Sequence, residues 1–402
     1  MQCRLLCDPG YISDITPLFE CTGGQYQPIH PTLFKCEPAV ALLVSDIGER
    51  EILSAEDSTM CDKLLTTIPN KEMSGHSINL LDNHLILGAT TIKKNNKWKY
   101  LSLSNPRAGL LTNKWTGTLV KGQNAPKNHV TFTFDKNLLY FGGDFKAQSL
   151  LQNGRGESGE WTLLKLLNRQ DNQPFDTFTS HACSAKLDRN RFLVLGGTYT
   201  SDKGEESVLP DVFEVDIFDR KVQKLGVMKH ARTQHACTMI PKKLSNTGGR
   251  DLESQAILIS GGVSVTNDAS SIVRVVELFL IDQRRSIELY NEMLEPRFKH
   301  RMIQLGTDPL ALGGETQDGT TKSIEKFNFD KDISIASLVS GNWTSYPKRL
   351  KSNSTNNLGV AALPKSSAEC NKVPCECGKP RESRIVGGTV VRNLKKDALD
   401  VN

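Results

Sequence analysis

The chain has neither a long hydrophobic run nor a strong excess of charge of one sign. None of its apolar stretches reaches the roughly 18 residues that a membrane-spanning helix needs. Its 50 Lys and Arg residues nearly balance its 45 Asp and Glu residues, which leaves a net charge of +5. There is no long basic stripe, and the small cluster of Lys348, Arg349 and Lys351 is typical of a solvated loop. These absences argue against a membrane span and against a nucleic-acid partner.

Sequence motifs of catalysis are also missing. The chain contains no Gly-x-Ser-x-Gly nucleophile elbow and no glycine-rich phosphate loop. Its seven tyrosines show no pattern of the Tyr-Cys cofactor that some copper oxidases use. We therefore predict that the chain needs no cofactor and no metal ion.

Cysteine is concentrated near the two ends of the chain, which indicates an oxidising compartment. The clustered cysteines are Cys3, Cys7, Cys21, Cys36, Cys370, Cys375 and Cys377. Such clusters are typical of disulfide frameworks in secreted proteins. Asn342-Trp343-Thr344 and Asn353-Ser354-Thr355 are sequons, which predict glycans on Asn342 and Asn353. No apolar signal segment follows Met1, so we expect a secreted chain whose signal peptide was lost by truncation.

Residues 1–37 resemble the latter part of a sushi (complement-control) module. The resemblance rests on Cys7-Asp8-Pro9-Gly10-Tyr11, on Phe19-Glu20-Cys21 with Gly24 and Tyr26, and on Cys36. It implies that Cys7 pairs with Cys36 and that Cys21 pairs with a cysteine nearer the N-terminus, for which Cys3 is available. In sushi variants with an extra disulfide the partner would lie upstream of Met1, which would leave one cysteine unpaired. A module this small needs such disulfides because it buries little apolar area.

One pattern, a hydrophobic strand that runs into a small-residue turn, recurs through the centre of the chain. Its six instances are Ala41–Ser45, His84–Ala89, Leu138–Gly143, Phe192–Gly197, Ala256–Gly262 and Pro309–Gly314. A second strand signal precedes each of the last five and begins near His76, His129, His181, His235 and His300. Asp211–Asp216 and Ser323–Asn328 alternate apolar and polar residues, as half-buried strands do. The interval between instances, roughly 45–65 residues, brackets that of kelch repeats.

The repeats resemble those of a kelch β-propeller over residues 38–365. Trp98 or Trp115, Trp161 and Trp343 fall where a kelch blade places its outer-strand tryptophan. The resemblance implies an all-β, six-bladed propeller with a small disulfide-rich N-terminal module and an extended C-terminal tail. The segment Asn357–Leu363 is expected to pair into the first blade and close the ring, because closure removes exposed sheet edges.

The recurring histidines and two central cysteines have structural explanations in this scheme. We expect the five histidines to be architectural, with ring nitrogens bonded to backbone groups. Cys183 and Cys237 are interpreted as equivalent residues of adjacent blades, and as small buried hydrophobes in preference to metal ligands or a disulfide. Two long polar loops, around Leu150–Gly159 and Lys242–Glu253, are candidates for partner contact, with ordinary solvated insertions as the alternative.

Residues 366–402 resemble the activation junction of a trypsin-like serine protease zymogen. The resemblance rests on Cys377-Gly378-Lys379-Pro380 and on Arg384-Ile385-Val386-Gly387-Gly388. It implies that an activating trypsin-like protease cleaves after Arg384, and that Cys377, or alternatively Cys375, ties this region to a protease domain. No catalytic His, Asp and Ser follow Gly388, so no catalytic residue is predicted, and Val390–Asn402 is expected to be a disordered polar tail.

Three hypotheses about function remain open from the sequence. The first is a secreted, non-catalytic recognition or regulatory region of a modular serine protease zymogen, which binds a protein or glycan partner through the propeller. The second is a free-standing extracellular kelch adhesion or scaffold protein. The third is an incomplete fragment of an active serine endopeptidase.

Overall fold

The computed structural model describes most of the chain between residues 160 and 363 and, outside it, mainly strands. The described residues are 2–4, 11–12, 18–22, 25–28, 37–45, 50–54, 64–65, 73–81, 84–92, 95–102, 116–118, 128–134, 137–143, 149–152, 160–188, 190–240, 255–266, 269–329, 334–352, 355, 358–363, 385–386 and 389–390. Several predictions lie outside them, namely those on Cys7, Cys36, Trp115, Lys242–Glu253, Asn353, Cys370, Cys375, Cys377, Arg384 and the tail after Val390.

The described residues are almost entirely β-structure, which confirms the all-β prediction. Among them the one helix is Ile335–Val339. Ser334 caps it, because the Ser334 hydroxyl accepts from the Ser337 N–H while the Ser337 hydroxyl accepts from the Ser334 N–H. Within the described part of the chain, no helix has the length and apolarity required to cross a membrane.

Strands before residue 164, together with Gly359–Leu363, form three antiparallel sheets. Sheet 1 orders its strands as Gly359–Leu363, Val40–Val44, Arg50–Ser54 and Leu64–Leu65. Sheet 2 contains Met73–Leu81, His84–Ile92, Asn95–Ser102 and Thr116–Thr118. Sheet 3 contains Val130–Phe134, Asn137–Phe141, Ser149–Gln152 and Glu160–Leu163.

The prediction of a loop around Leu150–Gly159 is wrong at its start, because Leu150 to Gln152 pair with the fourth strand of sheet 3.

Three further sheets repeat the same order. Sheet 4 contains Cys183–Lys186, Arg191–Leu195, Asp211–Asp216 and Lys221–Val227, with Leu167–Asn168 added in parallel. Sheet 5 contains Ala236–Ile240, Ala256–Ser260, Glu277–Leu280 and Arg285–Glu288. Sheet 6 contains Arg301–Leu305, Asp308–Leu312, Ile324–Asn328 and Asn342–Ser345.

Short sheets make up the remaining strands. At the N-terminus, Gln2–Arg4, Leu18–Thr22 and Gln25–Pro28 form one sheet, and Tyr11–Ile12 pairs with Glu37–Pro38. Beside sheets 4 to 6 lie Thr179–Ser180 with Thr198–Thr200 and Glu206–Val208, Val263–Thr266 with Ala269–Ile272, and Glu315–Thr316 with Gly319–Thr320. At the junction, Ile385–Val386 pairs with Thr389–Val390.

The six hydrophobic segments of the sequence all become second strands. Each lies between a first strand and a third strand. The five whose side chains are described, those of sheets 1, 3, 4, 5 and 6, are shielded on both faces, which is why they read as uninterrupted apolar runs. All five residues of Val40–Val44 and of Ala256–Ser260 are buried. The predicted pairing of the C-terminal segment with the first repeat is also confirmed, since Gly359 lies opposite Val44 and Leu363 opposite Val40.

The first strands of the six sheets lie beside one another in chain order. Each contacts the first strand of the next sheet, and the first strand of sheet 6 contacts that of sheet 1. The faces of the second strands pack accordingly. In sheet 4, Phe192 and Val194 join a core with sheet 3, whereas Leu193 and Leu195 join a core with sheet 5. Similar cores lie between sheets 5 and 6 and between sheets 6 and 1.

Glycine pairs at the ends of the second strands let neighbouring sheets approach closely. Gly261 has a φ of +58°, and a Cβ placed on it would lie 2.1 Å from the Arg297 carbonyl oxygen. Gly262 has a φ of +91°, and its Cβ would lie 2.7 Å from the Thr233 carbonyl oxygen. Only glycine fits both the left-handed conformation and these separations.

Candidate ligand-binding pocket

Four turn residues with left-handed backbone stand at one end of the first strands. Asn128, His181, Gln234 and Lys299 have φ values of 58°, 55°, 55° and 54°. Each lies two residues before the first strand of sheets 3, 4, 5 and 6, respectively. Left-handed non-glycine residues are uncommon, and their clustering indicates a conformation that the tertiary structure imposes.

Backbone hydrogen bonds join these four turns to one another. The His181 N–H donates to the Asn128 carbonyl at 2.9 Å, and the Gln234 N–H donates to the His181 carbonyl at 3.0 Å. The Lys299 N–H continues the series to the Gln234 carbonyl at 2.8 Å. His181 and Gln234 thus each use one donor and one acceptor, and the series of three bonds holds the four turns near each other at the ends of four sheets.

These turns line a small pocket of about 30 Å³. The residues around it are Asn128, His129, His181, Ala182, Gln234, His235, Lys299 and Arg301. All but Ala182 have polar side chains, and among these described residues none is a carboxylate. A pocket of this kind selects a polar or anionic group in preference to a cation. We refer to it as the mouth pocket.

The histidines that recur in the sequence occupy two different positions. Because Cys183 lies opposite Leu195 whereas Ala236 lies opposite Ser260, His181 aligns with Gln234 and not with His235. His181 is half-buried in the mouth pocket, whereas His129, His235 and His300 are buried one residue further along. The expectation that five equivalent histidines recur is therefore wrong for His181.

The buried rings of His235 and His300 pack against glycines of the neighbouring sheets. A Cβ on Gly196 of sheet 4 would lie 2.9 Å from the His235 ring, and one on Gly261 of sheet 5 would lie 2.7 Å from the His300 ring. The hydrogen-bond partner of His300 is the Ser260 hydroxyl at 2.9 Å, not the backbone group that we expected. Among the described residues, no group of three or more His, Cys, Asp or Glu side chains is placed to hold a metal ion.

Cys183 and Cys237 form a disulfide, so the prediction that they are merely small buried hydrophobes is wrong. Their Cα atoms lie 5.9 Å apart, within the range that a disulfide spans. They are also not equivalent positions, since Cys183 is the first residue of its strand and Cys237 the second of its own. This offset turns the two side chains toward each other between sheets 4 and 5, immediately below His181 and His235.

Burial and nearby cations set the charge of the pocket histidines. Burial, with Arg301 and Lys299 nearby, lowers the pKa of His181 to about 4. Burial and Arg232 lower the pKa of His235 to about 3. Both rings are therefore neutral near pH 7, and the charges at the mouth pocket come from Lys299 and Arg301.

A larger cavity of about 420 Å³ lies between sheets 4 and 5. Its charged groups largely satisfy one another, because Arg191 pairs with Asp188 at 2.7 Å and Arg169 with Asp219 at 3.3 Å. The buried Glu214 accepts a hydrogen bond from Gln223 at 3.2 Å. The balance of charges gives this cavity no preference for an ion of either sign.

Only some of the site residues that the sequence predicts are among the described residues. Asn342 is exposed on the fourth strand of sheet 6, beside the buried Trp343, so its side chain is accessible to a glycan. Cys3 and Cys21 lie in the paired strands Gln2–Arg4 and Leu18–Thr22, and Ile385 begins the hairpin at the junction. The sequence analysis did not predict the mouth pocket, because it interpreted the histidine spacing as purely architectural.

No family model and no curated protein matches the chain.

Proposed function

We propose that residues 38–365 form a six-bladed kelch-type β-propeller that recognises a protein or glycan partner outside the cell. In this proposal residues 1–37 are a partial sushi module, and residues 366–402 are a linker with a protease-like junction. The chain itself is non-catalytic and acts as the recognition and regulatory region of a modular serine protease zymogen.

Strand order and strand contacts support the propeller. Six sheets each have four antiparallel strands in the same order, and their first strands contact one another in chain order, with sheet 6 beside sheet 1. Gly359–Leu363 joins sheet 1, so the last described strand of the repeats pairs with the first. A ring closed in this way leaves no exposed edge on its first strands.

The observation that carries the recognition role is the convergence of four sheets on the mouth pocket. Asn128, His181, Gln234 and Lys299 come from turns more than 50 residues apart, and the backbone series between them holds all four together. Residues gathered from separate turns of a rigid scaffold are the usual basis of a binding site.

Two features favour an extracellular location. The Cys183–Cys237 disulfide is typical of proteins from oxidising compartments. Asn342 of the first sequon is exposed, as a glycan acceptor must be.

The zymogen role is supported by the resemblance of Arg384-Ile385-Val386-Gly387-Gly388 to an activation junction.

Partner capture tests the recognition role. The full chain would be immobilised and exposed to a glycan array and to extracellular fluid of the source organism. We expect at least one glycan or protein to bind the wild type and to be lost with Gln234→Trp, which fills the mouth pocket. Tyr290→Trp is the matched control, because Tyr290 is 81% exposed and lies away from the pocket. Absence of any ligand, or equal binding by Gln234→Trp, would reject the proposal.

Limited digestion tests the junction. After brief exposure of the full chain to trypsin, sequencing of new N-termini should find Ile385-Val386-Gly387-Gly388. Arg384→Gln should abolish this product and leave other cuts unchanged. Cleavage of other loops while Arg384–Ile385 stays intact would contradict the proposed activation site.

A further inference from the structure

Arg301 places a positive charge at the mouth pocket, and among the described residues no carboxylate compensates it. Its Nε donates to the Leu358 carbonyl at 2.7 Å, which anchors the side chain to the strand segment that enters sheet 1. Within the described part of the chain, no carboxylate forms an ion pair with its guanidinium. Burial lowers the pKa of Arg301, and no neighbouring charge offsets this effect. A guanidinium nevertheless stays protonated in proteins, so its charge needs a partner.

Lys299 does not share this deficit, because it already has a partner. Its Nζ lies 3.2 Å from the Glu315 carboxylate, and it also lies over the Phe298 ring at 5.2 Å. The Lys299–Glu315 pair is close to neutral, so the mouth pocket keeps about one positive charge, that of Arg301. Gln234 lines the same pocket and adds an uncharged amide that can donate a hydrogen bond.

We infer that the mouth pocket binds one small anionic group, held by the Arg301 guanidinium with the Gln234 amide and Lys299 beside it. A cavity needs roughly 10–15 Å³ to hold a water molecule, and the pocket of about 30 Å³ therefore has room for a chloride ion or one carboxylate. A guanidinium fork suits a carboxylate through two parallel hydrogen bonds. The assignment of the anion as an acidic side chain of a protein partner rests on the proposed recognition role. The existence of the anion site does not depend on that role.

His181 supplies a direct signal for an anion in this pocket. It faces Arg301 and Lys299, which with burial lower its pKa to about 4. The other titratable groups at the pocket are His129 and His235, and Glu315 lies behind Lys299. An anion beside Arg301 offsets the two cations and raises the pKa of His181 toward its ordinary value of 6.5.

The test follows the His181 titration by NMR on the full chain labelled at histidine Cε1, with the signal assigned from its loss in His181→Gln. Sodium chloride and sodium acetate would be compared at equal ionic strength with sodium methanesulfonate, whose anion is bulkier and a weaker hydrogen-bond acceptor than a carboxylate. We expect a higher pKa of His181 in chloride or acetate. A response to acetate identifies a carboxylate site, and a response to chloride alone identifies a free-ion site.

Variants of Arg301 decide whether the guanidinium is responsible. Arg301→Met should raise the anion concentration required to shift the pKa of His181 about tenfold or more, as expected for the loss of hydrogen bonds to a charged group. Arg301→Lys keeps the charge and should lose less anion affinity. It replaces Arg301→Met in the test if that variant does not fold. Identical titrations in all three anions, or a wild-type response in a folded Arg301→Met chain, would overturn the inference. A chloride effect without partner capture would reject the recognition role and leave the anion site standing.

Discussion

The Arg232 guanidinium is bonded to the Glu277 carboxylate, with both side chains fully removed from solvent. Arg232 also donates to the Val275 carbonyl at 3.0 Å, and Glu277 accepts from the Lys229 N–H at 2.8 Å. The pair thus fixes the turn before sheet 5 to its third strand. Arg297 and Glu325 do the same in sheet 6, and Glu51 accepts from the Lys351 N–H in sheet 1.

Loss of one member of this pair should be strongly destabilising. Glu277→Gln leaves the Arg232 charge buried without a partner, so we expect a loss of about 3–5 kcal/mol in the free energy of unfolding, measured by urea denaturation. Glu288→Gln is the control, because this half-exposed carboxylate should contribute no more than about 1 kcal/mol. Equal effects of the two substitutions would contradict the role of the buried pair.

Sheet 4 shows how the chain manages without such a pair. Thr179 and Phe213 stand at the positions of Arg232 and Glu277. The double variant Arg232→Thr/Glu277→Phe should therefore be more stable than Glu277→Gln in the same urea experiment, because no buried charge remains unpaired. A double variant less stable than Glu277→Gln would show that the backbone bonds of Glu277 outweigh the charge.

Buried neutral histidines should make stability fall in acid. Burial lowers the pKa of His235 from 6.5 to about 3. Between these two pH values His235 binds a proton in the unfolded chain but not in the folded chain. Stability is full above pH 6.5 and declines as the pH falls through this window, by about 1.4 kcal/mol per unit for His235. His300 adds to the decline, since burial also lowers its pKa.

Urea denaturation across this pH range checks the slope. His235→Gln removes one titrating group, so its stability should depend less steeply on pH by the same amount per unit. A substitution of the exposed Lys203, such as Lys203→Gln, should leave the wild-type slope. An unchanged slope in His235→Gln would show that His235 is protonated in the folded chain.

The Cys183–Cys237 disulfide should be a major contribution to stability. It closes a loop with a sequence separation of 54, for which loop-closure entropy predicts a contribution of about 4 kcal/mol. Cys183→Ala/Cys237→Ala should lose about that amount in thermal or urea unfolding, and reduction should shift the wild type but not the double variant. If reduction shifts both equally, the effect comes from other cysteines.

Close approach between sheets makes Gly261 intolerant of a side chain. Gly261→Ala introduces a Cβ 2.1 Å from the Arg297 carbonyl oxygen, at a φ of +58°, so we expect a loss of at least about 3 kcal/mol by urea denaturation. Gly204→Ala is the matched control, because its φ is +82° but no atom lies within 4 Å, which leaves only the strain of about 1–2 kcal/mol. Similar losses would show that the backbone of sheet 5 relaxes.

Local patterns account for the parts of the fold that were predicted well. The second strands are recognisable because a run such as Ala256 to Ser260 is apolar on both faces and ends in Gly261 and Gly262. The pairing of Gly359–Leu363 with Val40–Val44 followed from the first repeat lacking a preceding strand signal. These inferences need only the period of the chain and the count of repeats.

Register between strands accounts for the errors. His181-Ala182-Cys183 and His235-Ala236-Cys237 are identical tripeptides, yet they are offset by one residue relative to the glycines of their second strands. A shift by one residue reverses the face to which each side chain points. It leaves His181 half-buried in the mouth pocket, buries the neighbouring His235 fully, and brings the two cysteines within bonding distance.

The sequence by itself determined the all-β class and the positions of the second strands, because hydrophobic period and glycine turns are local properties of the chain. Only the tertiary structure decided which histidine is half-exposed in a pocket, which cysteines pair between sheets, and which arginine has no carboxylate partner among the described residues. Those outcomes depend on strand register and on contacts between sheets, where residues far apart in sequence meet. Arg232 and Arg301 look alike in the sequence, but one is neutralised by Glu277 and the other faces the mouth pocket.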